Sequence, residues 1–241
     1  MGEKTQISWT DATWNPVTGC SKLSEGCNNC YAEKVAKRLQ SMGSKRYRNG
    51  FQITLHPDAL EIPVKWKKRR MIFVNSMSDL FHDRVPLEFI QKVFEVMEQC
   101  PQHIFQVLTK RSERMQKLLG LDLPILPNVW LGVTVESDYH KRRIQDLRYT
   151  SAAVRFLSCE PLLSDISDMW LMDIHWVIVG GESGPDARPM KEEWVRTIQK
   201  QCAEQDVPFF FKQWGGTGRD KGGNLLDGKV CQEFPRGFSP G

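Results

Sequence analysis

Apolar residues along this chain gather in short unbroken runs rather than alternating with polar ones. Runs rich in β-branched and aromatic residues occupy 71–75 (MIFVN), 104–108 (IFQVL), 129–135 (VWLGVTV), 154–158 (VRFLS), 176–180 (WVIVG) and 208–212 (PFFFK). A strand exposed on one face alternates apolar and polar residues. A run without alternation predicts a strand buried on both faces, as in a parallel sheet. Between the runs the period changes. Tyr31, Val35 and Leu39, then Phe89, Val93 and Met97, then Trp194, Ile198 and Cys202 recur at helical spacing, which predicts helices over 31–42, 88–99 and 192–205. Ser112 is expected to N-cap a short helix carrying Met115, Leu118 and Leu119. The run starts lie 22 to 33 residues apart. Strand, helix and strand at that spacing predict right-handed crossovers, in a full or partial (β/α) barrel or in a doubly wound sheet.

Two segments fall outside the repeat. Residues 43–70 are longer than a connection needs and carry Lys45, Arg46, Arg48, Lys65, Lys67, Lys68, Arg69 and Arg70. They read as a basic insertion, with charges around Trp66 suited to a phosphate backbone. Residues 215–241 are Gly-rich, with Asp227-Gly228 between Leu225-Leu226 and Lys229-Val230, a hairpin signal. The expected organisation is a barrel over 1–214 and a C-terminal cap or hairpin over 215–241.

Composition narrows the class. A chain of 241 residues, 40% hydrophobic and with 8 Trp and 12 Phe, has enough apolar surface for a sizeable core. A net charge of +4 is compatible with a nucleic-acid partner without singling one out. No apolar run reaches the ~18 residues of a membrane span. The N-terminus lacks a signal-peptide core, so the expected location is the cytoplasm. Seven cysteines, an odd number without an export signal, argue against a disulfide framework.

The polar residues that follow each run carry the chemistry. They are Ser76, Ser78 and Asp79; Thr109, Lys110 and Arg111; Glu136 and Ser137 after Thr134; Cys159 and Glu160; Gly181, Glu182 and Ser183; and Gln213 and Trp214 after Lys212. Parallel strands align their C-terminal ends, so these groups are predicted to converge on one face, where α/β folds place their sites.

Cys20, Cys27 and Cys30 lie within eleven residues, spaced Cys-x6-Cys-x2-Cys. A structural zinc site is closed by four ligands. The five histidines show no paired spacing with this cluster, and Cys231 would have to reach back from the far end of the chain. A 4Fe-4S cluster held by three cysteines leaves one iron open to substrate or cofactor.

The strings WNPVTGCSKLSEGCNNCYAE, FVNSMSDLF, LTKR, GVTVES, LSCEPL, VGGESG and FFFKQWG resemble a phage-associated, noncanonical family of three-Cys radical S-adenosylmethionine proteins. The usual spacing of such enzymes is Cys-x3-Cys-x2-Cys, so the first gap here departs from it. The resemblance implies a partial (β/α) barrel of about six to seven parallel strands. It implies a 4Fe-4S cluster on Cys20, Cys27 and Cys30, S-adenosylmethionine on the open iron, a 5′-deoxyadenosyl radical, and an electron donor such as flavodoxin or ferredoxin. Asn75, Ser76, Ser78 and Asp79 stand where relatives carry a Gly-Gly-Glu-like motif for the methionyl amine. Thr134, Glu136 and Ser158 stand where ribose or carboxylate contacts are expected. Gly180 and Gly181 would admit adenine, with Glu182 beside them. Lys110, Arg111, Lys212, Gln213 and Trp214 are candidates for substrate binding. Lys110, Glu160 and Cys159 are candidates for catalysis, Cys159 as a hydrogen-atom donor. The implied substrate is a modified nucleobase, nucleotide or DNA. In the sharpest version, a glycine joined through nitrogen to a thymidine methyl becomes carbon-linked. A radical DNA lyase or repair enzyme, and a zinc-containing nucleic-acid-binding phage protein, are the alternatives.

Overall fold

A computed structural model describes residues 5–218 and 220–238. In chain order the elements are β1 (Ala12–Trp14), β2 (Val17–Thr18), α1 (Tyr31–Ser41), β3 (Thr54–Leu55), β4 (Met71–Val74), α2 (Leu87–Glu98), β5 (Ile104–Thr109) and α3 (Ser112–Leu118). Then follow β6 (Val129–Thr134), α4 (Arg142–Arg148), β7 (Val154–Cys159), β8 (Trp176–Gly180), α5 (Glu192–Glu204), β9 (Phe209–Gln213), β10 (Leu225–Leu226) and β11 (Lys229–Val230). Among the described residues, seven strands form one sheet in the order β1-β4-β5-β6-β7-β8-β9, every neighbouring pair parallel. The sheet is curled into a half-barrel, an open (β/α) fold of the partial-barrel kind.

All six predicted runs are strands of this sheet. The seventh, β1, is a three-residue strand too short to stand out as a run. Side chains alternate between two apolar layers, as the period of two requires. Ile72, Val74, Phe105, Val107, Leu131, Val133, Leu157, Val177, Val179, Phe209 and Phe211 join the outer layer with α2, α4 and α5. Met71, Phe73, Ile104, Trp130, Phe156, Trp176, Ile178 and Phe210 face inward with Trp9. No helix spans the crossover from β7 to β8. Leu162, Ile166, Met169, Leu171 and Ile174 cover the outer layer from an irregular segment instead.

The inner layer is an aromatic floor. Trp176 meets Trp130 at 6.2 Å, Phe210 at 5.8 Å and Phe234 at 5.3 Å, and Phe238 stands edge-on to Trp130 at 4.9 Å. Each such pair adds about 0.5–1.5 kcal/mol beyond its buried area. Phe234 and Phe238 arrive from the C-terminal segment, which first forms the β10–β11 hairpin across Asp227 and Gly228. It then runs along β9, where the Phe211 amide donates to the Cys231 carbonyl at 2.7 Å and the Glu233 amide to Phe209 at 3.0 Å. From Gln232 to Phe238 this segment therefore covers the free sheet edge and the N-terminal end of the half-barrel.

Two expectations change, and one helix is new. Ser112 opens α3 rather than capping it; its hydroxyl donates to Asp146 of α4 at 2.6 Å. Trp66 is buried against Arg70 at 5.0 Å and His103 at 6.2 Å, so it offers no stacking face. Residues 65–70 enter β4 at its N-terminal end, opposite the strand ends where the cysteines lie. Helix α4 had no apolar signature, because half of its inner face is Arg143 and Asp146, buried through polar partners.

Gly132 is required by packing. A Cβ there would lie 2.5 Å from the Phe156 ring. Gly132→Ala is expected to cost about 1–3 kcal/mol through overpacking. Urea unfolding monitored by tryptophan fluorescence checks this; an unchanged midpoint refutes it.

Candidate functional site

The cysteine loop leaves the sheet after β1. β2 pairs antiparallel with β3, which tethers the 43–70 insertion beneath the loop. Gly19 then turns the chain at φ +85, with its α-carbon against the backbone of Phe51 and Gln52, where a side chain has no room. The Cys20 amide donates to the Phe51 carbonyl at 3.1 Å. Cys27 closes the single 3-10 turn Glu25–Cys27, and Cys30 immediately precedes α1. All three thiols are free and partly exposed. Among the described residues, no three His, Cys, Asp or Glu side chains converge on a single ion. Cys231 lies beside Gln199 of α5, on the outside of the sheet.

Two cations stand beside the thiols. Arg111 is buried, with Nη1 3.8 Å from Cys20 Sγ and 3.2 Å from Asp79 Oδ2, and Nη2 3.1 Å from Ser21 Oγ. Burial and then Asp79 push the Cys20 thiol up to about 11, against the opposing pull of Arg111. At Cys27, burial raises the thiol, but Lys110 and the amides of the loop outweigh it, and the result lies below the usual value. Asp79 also accepts from Thr109 Oγ1 at 2.7 Å, Phe81 N at 3.0 Å and Lys110 N at 3.1 Å. Its oxygens therefore bind their own loop and the next one. Ser76 and Ser78 donate to Asn15 Oδ1 and the Val17 carbonyl. Asn75, at φ 60, accepts from Val17 N and leaves a buried Nδ2 unpartnered.

Two carboxylates clamp the loop. Glu136 is fully buried. It accepts from Ser24 Oγ and from Arg143 at 2.5 Å, and it lies 3.6 Å from Lys110 Nζ. Gly26 packs against it so closely that a Cβ would sit 2.6 Å from Glu136 Cγ. Glu182 accepts from Asn29 Nδ2 at 3.0 Å and from Arg188, whose Nη2 stands 2.6 Å from Oε1. Arg188 Nη2 also donates to the Glu25 carbonyl at 3.0 Å, while Ser137 Oγ donates to Glu25 Oε1 at 2.7 Å. The partners Ser24 and Asn29 carried no sequence signal, because each is a lone polar residue 112 or 153 positions from the carboxylate it serves; Arg143 and Arg188 lie only seven and six residues from theirs but carry no motif that marks the pairing.

At the concave mouth, Thr134, Ser158 and Gly180 continue the inward-facing register above the aromatic floor. Glu160 holds Lys212 Nζ at 2.5 Å, and Lys221 lies close enough to feel both charges. Tyr31 donates its hydroxyl to the Ser76 carbonyl, beside Cys30. Cys159 does not join this group. It alternates with Ser158, falls in the outer layer near Cys202 and is fully buried, which holds its thiol well above the usual range. Gln213 donates to Ser183 Oγ at 2.7 Å, and Trp214 packs on Phe211 at 4.8 Å and donates to the Leu225 carbonyl. Gly181 admits the Trp214 carbonyl where a Cβ would stand. These three residues fasten the last two strand ends to each other.

Comparison with known proteins adds a family. A family model described as Protein of unknown function (DUF5131) matches residues 4–235. This chain belongs to that family. No curated protein matches the DUF5131 chain. Among solved structures, spore photoproduct lyase complexed with dinucleoside spore photoproduct is similar at 12% identity and a TM-score of 0.48. A variant of that lyase with bound AdoMet and dinucleoside spore photoproduct is similar at 12% identity and 0.47. Either match covers 83% of this chain, which spans 63% of the lyase's length. No helix among the described residues is long and apolar enough to cross a membrane.

The clamp gives two expectations. Glu182→Ala removes the carboxylate partner of Arg188 and Asn29, and it should cost about 1–3 kcal/mol and speed amide exchange at 24–30; unchanged exchange there refutes the clamp. Burial raises the Glu182 carboxyl, but hydrogen bonds from Arg188 outweigh it and bring the value to about 2, below the ordinary 4.5. A depressed folded-state value stabilises fully above the unfolded value and loses that contribution as pH falls through the folded one. Loop protection should therefore fade between pH 4.5 and about 2, and fade less in Glu182→Gln.

Proposed function

We propose that this DUF5131 protein is a radical S-adenosylmethionine enzyme acting on a nucleobase, nucleotide or DNA. The carrying observation is the loop of three free thiols at the strand-end mouth, with Arg111 beside Cys20 and Lys110 acting on Cys27. A cubane cluster takes one thiolate per iron, so thiols spread along a loop suit it, and three of them leave one iron open. The nearby cations offset the negative charge that thiolate ligands bring. A structural zinc lacks its fourth donor here, since Cys231 lies outside the sheet.

In this reading Cys20, Cys27 and Cys30 hold a 4Fe-4S cluster. With S-adenosylmethionine bound, the cluster supplies one-electron cleavage of the sulfonium and a hydrogen-abstracting radical. The chain's own residues do the positioning. Asn75 Oδ1 is taken by the Val17 amide, so its unpartnered Nδ2 donor would suit the methionyl carboxylate and not the amine. Thr134 and Ser158 line the concave face with hydroxyls, and Gly180 leaves it open for a flat ring. Glu136 and Glu182 fix the loop height above that face, and Asp79 fixes Arg111 under Cys20. Lys212, oriented by Glu160, and Lys110 provide positive charge for a substrate carboxylate or phosphate. The aromatic floor keeps water from below. The finer reading is rearrangement of a thymidine-linked glycine from nitrogen to carbon attachment in phage DNA, supported by the sequence resemblance. Hydrogen return by Cys159, part of the lyase alternative, has no support from a side chain facing α5.

Anaerobic reconstitution should give a brown protein with about four irons per chain. Under reduction it should release 5′-deoxyadenosine from S-adenosylmethionine, and Cys27→Ala should lose both properties. A colourless zinc protein without release would sink the proposal.

A further inference from the structure

Outside the strand-end mouth lies a cleft of about 480 Å³. One wall is the face of α1 carrying Glu33, Lys37 and Gln40. The other is the insertion backbone from Asn49 to Ile53 with the half-buried Phe51. Cys20, Ser21 and Lys22 close one side with His82 and Arg84. Its volume falls within the ~300–1,000 Å³ range of ligand clefts. Glu33 is the one acid among the lining residues, and Lys37 pairs with it at 2.6 Å. Lys22 and Arg84 are exposed and leave the lining with two positive charges in excess.

The polar groups at the Cys20 end are ordered for an acceptor. His82 Nδ1 accepts from the Arg84 amide at 3.1 Å, so its Nε2 carries the proton and donates to Ser21 Oγ at 2.7 Å. Ser21 Oγ also accepts from Arg111 Nη2 at 3.1 Å. With both lone pairs used, the Ser21 hydroxyl proton has no partner among these contacts and remains available to the cleft.

We infer that this cleft binds the sugar-phosphate backbone of a single-stranded nucleic acid. Lys22, Lys37 and Arg84 contact phosphates, Ser21 donates to one phosphate oxygen, and Gln40 and Asn49 meet the bases with the part of Phe51 that its packing on the Ala32 and Ala36 cluster leaves open. Positive charge tracking a backbone beside an aromatic face is the general mode of single-strand binding. A folded acidic protein would engage exposed lysines without filling a concavity. A duplex keeps its base faces stacked on one another, so a base contact at Phe51 calls for an unpaired strand. The inference deepens the preceding reading and rests on it for the meaning of the site: the substrate is a residue within a strand, whose flanking phosphates lie beside Cys20.

The test is fluorescence anisotropy of the full chain with a labelled single strand of roughly 12 nucleotides, between about 50 and 200 mM salt. Lys22→Gln/Lys37→Gln should weaken binding at least tenfold and flatten the salt dependence by about 1.4 in the log–log slope. Lys67→Gln/Lys68→Gln, at the opposite end of the sheet, should change affinity less than twofold. Equal loss in both pairs, wild-type binding by the cleft variant, or equally tight binding of polyglutamate would overturn the inference. Iron content and 5′-deoxyadenosine release are measured on the same samples. An iron-free chain that still binds through Lys22 and Lys37 removes only the radical reading. An iron-loaded, active chain that ignores the strand removes only the cleft.

Discussion

Glu136 has no exposed surface, and a carboxylate out of water costs several kcal/mol unless charge and hydrogen bonds replace its hydration. The replacements come from three directions. Arg143 reaches it from α4, Lys110 from the end of β5, and Ser24 from the cysteine loop. Burial raises this carboxyl, and Lys110 and Arg143 more than reverse the effect, so the group stays ionised. The loop is thus held by a charge that cannot be left alone. Any movement of Ser24 or Gly26 away from the mouth exposes Glu136 or breaks its shell. Arg143 on the inner face of α4, odd for a helix lying on a sheet, follows from the same requirement, while Asp146 beside it serves Ser112.

The fold was largely legible because two-sided burial leaves an unmistakable trace. Strands such as MIFV and WVIVG have no polar face to confuse them with anything else. What stayed hidden has physical reasons. β1 offers only Ala12, Thr13 and Trp14. α4 replaces apolar periodicity with Arg143 and Asp146. At the site, the cysteine spacing and the strand-end carboxylates were visible. Their partners were not: Ser24 and Glu136 are 112 residues apart, and Asn29 and Glu182 are 153. Spacing carries no information on pairings made by the closing of a sheet. Cys159 shows the opposite error. Its place beside Ser158 suggested the mouth, but neighbours in a strand point to opposite faces.

Charge along the chain is sorted by the strand direction. The 65–70 cations enter at the N-terminal ends, whereas Lys110, Arg111 and Lys212 leave at the C-terminal ends. A mild net excess thereby becomes separate positive regions, and of these two only the second shares a surface with the thiols, beside the cleft cations Lys22, Lys37 and Arg84. The insertion contributes to that surface through its backbone at Phe51 and Gln52, which seats Gly19, rather than through the basic run that first marked it.

The aromatic floor has a consequence for how the molecule is made. Phe234 and Phe238 complete a layer whose other members are spread from Trp9 to Phe210. During synthesis the half-barrel can pair its strands in order, β1 to β9, as each emerges. Its interior remains unsealed until the chain has passed Phe238. Within this layer Trp9 thus awaits Phe238, and a ribosome that stalls before Phe238 leaves a fully paired sheet with an open, adhesive underside.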